Sequence, residues 1–130
     1  MSSTVTPLTS HLDQQAQTLE NFGTKVKRPH GASLRLHLLD TRQTGVANAV
    51  AAIRAGVTTF DASLGGAGGC PFAPAATGNV ASEDLVYLFD RMGQPTGLDL
   101  AELTSAVSWR ERRLGAQLPG ALLRADGFPA

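Results

Sequence analysis

Residues 61–87, DASLGGAGGCPFAPAATGNVASEDLVY, decide how the rest of the chain reads. The only cysteine, Cys70, follows a glycine-rich run, GGAGG. Glycine lacks a Cβ and enters the φ > 0 region at little cost. Such a run therefore marks either a mobile loop or a close backbone approach. A lone amide, Asn79, stands shortly before a helix that opens on Ser82, Glu83 and Asp84. A thiol on a loop over a rigid scaffold is placed for chemistry. The same residues also fit a surface loop with an inert small thiol. Asn79 also fits a plain turn residue ahead of a capped helix.

Working outward, residues 33–39 read as a strand. Leu34, Leu36 and Leu38 alternate with Arg35, His37 and Leu39, which is mostly apolar, as in a parallel strand. Residues 44–55 read as a helix with a Val46, Val50, Ile53 stripe, alanine flanks and Gly56 as its stop. Residues 57–63 are a second strand, β-branched at Val57, Thr58 and Thr59. After the loop at 64–78, residues 79–81 read as a very short last strand.

A helix follows at 82–92, with Ser82 as its cap and Glu83 and Asp84 at its positive end. Its expected inner face is Leu85, Leu88, Phe89 and Met92, and Gly93 closes it. Another helix spans 99–114, with Asp99 and Glu102 in a capping-box pattern and Gly115 as its stop. Leu100, Leu103, Val107 and Leu114 are expected to face inward. Trp109 is expected to pack, and Arg110, Arg112 and Arg113 to be solvated. The order strand, helix, strand, loop, helix predicts a parallel α/β arrangement.

Upstream, Leu8, Leu12, Leu19, Phe22 and Val26 share one helical face, with Pro7 in the first turn. Lys25, Lys27, Arg28 and Pro29 read as a solvated connector. The chain has 130 residues, enough for one modest domain. Eleven basic and eleven acidic residues cancel, so nothing points to nucleic acid or an anionic membrane. One cysteine excludes an internal disulfide, which fits a reducing cytoplasm. No run reaches the ~20 apolar residues of a membrane span. MSSTVTPLTS lacks the basic start and apolar stretch of a secretory signal.

DASLGGAGGCPFAPAATGNVASEDLVYLF resembles the C-terminal signature of the 3-hydroxy-3-methylglutaryl-CoA (HMG-CoA) lyase family. LRLHLLDTRQTGVANAVAAIRAGVTTFDAS upstream and GLDLAELTSAVSW downstream fit the same family. The resemblance spans residues 34–118 and implies an α/β fold: the last strands and helices of a (β/α)8 TIM barrel, with the site at the C-terminal strand ends. A full barrel needs about 200 residues or more, so this chain is expected to supply only part of one. The implied organisation is a divergent helix and connector at 1–30, the lyase segment at 31–118 and a tail at 119–130.

The implied chemistry is cleavage of a carbon–carbon bond in a 3-hydroxy acyl-CoA, giving acetyl-CoA and acetoacetate. A base takes the hydroxyl proton, a divalent cation, magnesium or manganese, polarises that oxygen, and an acid protonates the enolate. The resemblance assigns His37 and Asn79 to the metal and Cys70 to catalysis over the closed site, with Asp40-Thr41-Arg42 completing the histidine motif. The family carries a second histidine where this chain has Leu39. The family's early-strand Asp-Arg pair and glutamate find no counterpart in residues 1–30. Partners are expected to be the acyl-CoA substrate and a second copy or a complementing chain, because an incomplete barrel leaves open sheet edges. A catalytically inactive remnant is the alternative. His37, Cys70 and Asn79 are expected in one cleft.

Overall fold

The computed structural model describes residues 34–69 and 78–125. The expected helical face from Leu8 to Val26, the connector at 25–29 and Cys70 lie outside those residues. The described residues divide into two compact units: 34–37 with Ala47–Asp61, and Leu38–Val46 with 62–69 and 78–125.

The first unit is built on two short parallel strands, β1 (Arg35–His37) and β2 (Thr59–Asp61), in register Arg35↔Thr59, Leu36↔Phe60 and His37↔Asp61. Parallel neighbours need a crossover between them. Helix α1 (Gly45–Arg54) lies between them in the chain. Alanine forms helix readily and leaves little bulk. Ala49, Ala51 and Ala52 are fully buried side chains of α1, whereas Val46, Val50 and Ile53 are only half-buried. The expected valine–isoleucine stripe is thus displaced by its small neighbours. Gly56, at φ +83, turns the chain after the helix, and Val57 N–H donates to Ala52 C=O at 2.9 Å.

The second unit carries a 3-10 turn (Leu64–Gly66), helices α2 (Ser82–Arg91) and α3 (Leu100–Leu114), and a second 3-10 turn (Leu122–Arg124) inside the expected tail. Helix α2 packs on α3 and on the first turn, and α3 also meets both turns. The core here includes Val80, Leu85, Val86, Phe89, Val107 and Leu118. Residues 79–81 form isolated bridges rather than a strand. Asn79 pairs antiparallel with Leu39, and Ala81 pairs parallel with Ser63.

Four expectations on these helices need correction. Ser82 is the first helical residue, and the cap is Ala81 with no side-chain bond. Leu114 and Trp109 are 57% and 59% exposed; Trp109 points away from Val107, the one buried residue of α3, and Leu114 shares the Val107 side but is the last residue of the helix. Trp109 instead sits 5.9 Å under the Arg113 guanidinium, a cation–π arrangement. Arg110 is not simply solvated, since it donates to Leu64 C=O at 3.0 Å and ties α3 to the first turn. The Asp99 half of the expected cap of α3 is in place: the Asp99 carboxylate accepts from Ala101 N–H and Glu102 N–H at 2.7 and 3.0 Å. Asp99→Ala is expected to cost about 1 kcal/mol by removing it. Urea unfolding checks this, and an unchanged midpoint would contradict it.

Candidate active site

A cleft of about 480 Å³ opens in the second unit. Its lining includes Asp40, Thr41, Arg42, Asn79, Asp84 and Gly120. Two hydrogen bonds stitch the motif Asp40-Thr41-Arg42 beside Asn79: Asp40 N–H to Gly78 C=O at 3.0 Å, and Val80 N–H to Leu38 C=O at 3.1 Å. Asp40 then holds its own turn, because its Oδ1 accepts from Gly45 N–H at 2.9 Å. Gly45 has no room for a Cβ, which would run into the Val80 side chain. Gln43 closes the turn at φ +56, a left-handed backbone for a residue with a side chain, and strain of this kind clusters at functional sites.

Asn79 is half-buried, and its side chain is oriented from the glycine turn. Its Nδ2 donates to Ala67 C=O at 2.9 Å, and its backbone N–H donates to Gly66 C=O at 3.3 Å. Of the two meanings of a glycine run, the described part shows close approach. Gly66 is at φ +69, and a Cβ there would sit 3.0 Å from the Asn79 carbonyl oxygen.

His37 lies at the end of β1 in the first unit, and the register sets it across from Asp61. Its Nδ1 is 3.4 Å from Asp61 Oδ2, with both side chains about half exposed. Asp61 escaped the sequence reading, although its cross-strand position follows from the pairing. Asn79 belongs to the second unit, and Cys70 lies outside the described residues. Among the described residues, no three His, Cys, Asp or Glu side chains gather to hold a metal ion. Position 39 carries leucine, whose side chain has no donor atom. A hard cation takes six or more oxygen-rich ligands. The described donors therefore do not make a cation site by themselves.

Two acids that read as ordinary first-turn helix residues do more. Asp84 accepts from Ala121 N–H and Leu122 N–H at 2.9 and 2.8 Å, anchoring the second 3-10 turn at the cleft wall. Glu83 is wholly buried, and its Oε2 accepts from Gly65 N–H at 3.0 Å. Burial pushes the Glu83 carboxyl above its ordinary 4.5, opposed by the bonds from the Gly65 and Glu83 backbones and reinforced by the charges of Asp84 and Glu111. The folded state thus holds this proton more tightly than the unfolded chain. The stability it contributes is full below pH 4.5 and is lost as pH rises through the folded-state value. Glu83→Gln cannot titrate. Its melting temperature relative to the parent is expected to climb as pH rises from 4 to 8, and a flat difference would contradict the burial argument.

The HMGL-like family model matches residues 1–109. The chain is 55% identical over 93 residues to the (R)-citramalyl-CoA lyase of Chloroflexus aurantiacus, covering 72% of this chain and 29% of that one. It is 48% identical over 86 residues to the hydroxymethylglutaryl-CoA lyase YngG of Bacillus subtilis, covering 66% of this chain and again 29% of the relative. The solved HMG-CoA lyase of B. subtilis superposes with a TM-score of 0.74 at 40% identity, over 87% of this chain and 37% of that one. An HMG-CoA lyase of Acinetobacter baumannii, solved with coenzyme A and 3-methylmalate, gives 0.77 at 36% identity over 92% and 39%.

The fold is therefore part of the (β/α)8 barrel of acyl-CoA lyases. The chain belongs to the HMGL-like family. It spans less than a third of the length of these two curated relatives. Among the described residues, no helix is long and apolar enough to cross a membrane.

Proposed function

We propose that this chain carries the C-terminal portion of a cytoplasmic carbon–carbon lyase site for a 3-hydroxy-3-methyl acyl-CoA, releasing acetyl-CoA and a keto acid. The observation that carries this reading is the family match over residues 1–109, with the motif turn Asp40-Thr41-Arg42 and the Asn79 amide lining one cleft. Cys70 is the proposed acid at the enolate carbon, and His37 and Asn79 are the proposed ligand positions of the assembled enzyme. A magnesium or manganese requirement belongs to that assembly, not to these 130 residues alone. The site is proposed to be complete only when the early strands of the barrel, which these 130 residues do not contain, are supplied.

HMG-CoA is the substrate that the sequence resemblance names. A second substrate reading, citramalyl-CoA, is favoured by the 55% identity to the Chloroflexus enzyme, against 48% to YngG. Both molecules carry a tertiary hydroxyl on the carbon that is cut from the acetyl unit, so one cleavage chemistry serves both. The test is acetyl-CoA release from each thioester by the chain with a complementing lyase fragment. Release from one substrate only assigns the class. Release from neither, with both polypeptides folded, would contradict the lyase reading.

A further inference from the structure

Glu83 is an acid to which the proposed lyase chemistry assigns no role, and it is fully buried at the start of α2. Its Oε1 has no hydrogen-bond partner among the described residues. Gly120 leaves the room that this oxygen occupies, since a Cβ on Gly120 would collide with Oε1. The other oxygen, Oε2, accepts from Gly65 N–H at 3.0 Å, and Gly65 C=O accepts from Gly120 N–H at 3.0 Å. One peptide unit on each side of Gly65 is thus gripped by groups distant in the chain. The adjoining residues carry the grip onward: Gly66 C=O accepts from the Asn79 backbone, and Ala67 C=O accepts from Asn79 Nδ2.

We propose that Glu83 is a positioning residue for Asn79: by pinning Gly65 against Gly120 it fixes the Gly66 and Ala67 carbonyls, which set the direction of the Asn79 carboxamide in the cleft. An apolar residue at 83 would avoid the cost of burying a carboxyl, but it would leave Gly65 N–H without its acceptor. Glutamate supplies a reach and an acceptor that aliphatic residues lack. The role assigned to Asn79 in the site rests on the lyase reading, whereas the geometry of the latch does not.

The test uses the isotope-labelled full chain and reads amide exchange at Gly65–Gly68, the Asn79 side-chain amide signal, and backbone amides of α2 and α3 as reference. The Asn79 signal is assigned by its loss in Asn79→Asp. Glu83→Gln keeps an acceptor for Gly65 and is expected to preserve both readouts. Glu83→Ala is expected to speed exchange in the turn by about tenfold or more and to shift the Asn79 side-chain signal, while helix amides move much less. Gly120→Ala, which displaces Oε1 without removing the acid, is expected to act like Glu83→Ala. It also serves if Glu83→Ala does not fold. Equal acceleration of turn and helix amides would show a merely structural acid and overturn the proposal, as would an unmoved Asn79 signal. Because no turnover is read, a failed lyase assay leaves this result standing.

Discussion

Mixed with HMG-CoA and either magnesium or manganese, the 130-residue chain alone is expected to release no acetyl-CoA above the uncatalysed background. The reaction needs a base, a polarising cation and a proton donor. Family resemblance assigns the cation to an early-strand aspartate, two histidines and an amide, and this chain retains His37 and Asn79. Leu39 has no donor atom to offer. Each lost ligand typically costs roughly 10–100-fold, so the two missing ones, the early-strand aspartate and the histidine replaced by Leu39, together lower the rate by about 10²–10⁴-fold, and the missing early-strand Arg and Glu lower it further. Leu39→His returns one donor and is expected to leave the isolated chain at background. Coupled detection of acetyl-CoA checks both statements. Turnover by the parent chain that disappears in Cys70→Ala would show a working lyase.

Gly78→Ala is expected to be among the most damaging single substitutions in the second unit. Gly78 holds φ +147, and a Cβ there would sit 2.8 Å from Gly66 C=O. That oxygen is backbone and also accepts from Asn79 N–H, so it cannot swing aside without moving the site. Backbone strain of about 1–3 kcal/mol adds to an overpacking cost of about 1–3 kcal/mol. The sum, about 2–6 kcal/mol, is a large share of the 5–15 kcal/mol of a typical domain. Gly93→Ala is the control, because Gly93 is at φ +70 with nothing within 4 Å of its Cβ position. It is expected to cost only the strain, about 1–2 kcal/mol. Urea midpoints of the two variants measure the contrast, and equal losses would contradict the close approach of Gly78 to the turn.

The elements were legible where local chemistry dictates them. Alternation around His37, the alanine-rich run at 47–52 and the Asp99 cap each act over a few residues; the two helices appear close to their expected bounds, whereas the strand keeps only Arg35–His37, the centre of the expected 33–39. Gly115 ends α3 in the left-handed conformation that its position demands. What could not be read depends on groups meeting from afar. Glu83 looks like a solvated helix-start acid because nothing nearby in sequence shows Gly65, eighteen residues back, arriving at its carboxylate. The orientation of Asn79 through Ala67, twelve residues away, is equally invisible. The exposure of Trp109 and Leu114 follows from where α3 meets its neighbours, which helical spacing alone cannot choose among several faces. The candidacy of His37, Asn79 and Cys70 came from resemblance, because two scattered ligand types and one thiol form no pattern by spacing.

The central claim is that this chain is the C-terminal portion of a lyase site that works only when the early strands are supplied. It is tested most directly by mixing its Leu39→His variant with the N-terminal part of the B. subtilis HMG-CoA lyase and measuring acetyl-CoA release. The prediction is release by the mixture, none by either polypeptide alone, and loss of release when Cys70→Ala is added to the variant. Turnover by the 130-residue chain alone would contradict the claim, as would a folded, associated mixture that releases no acetyl-CoA.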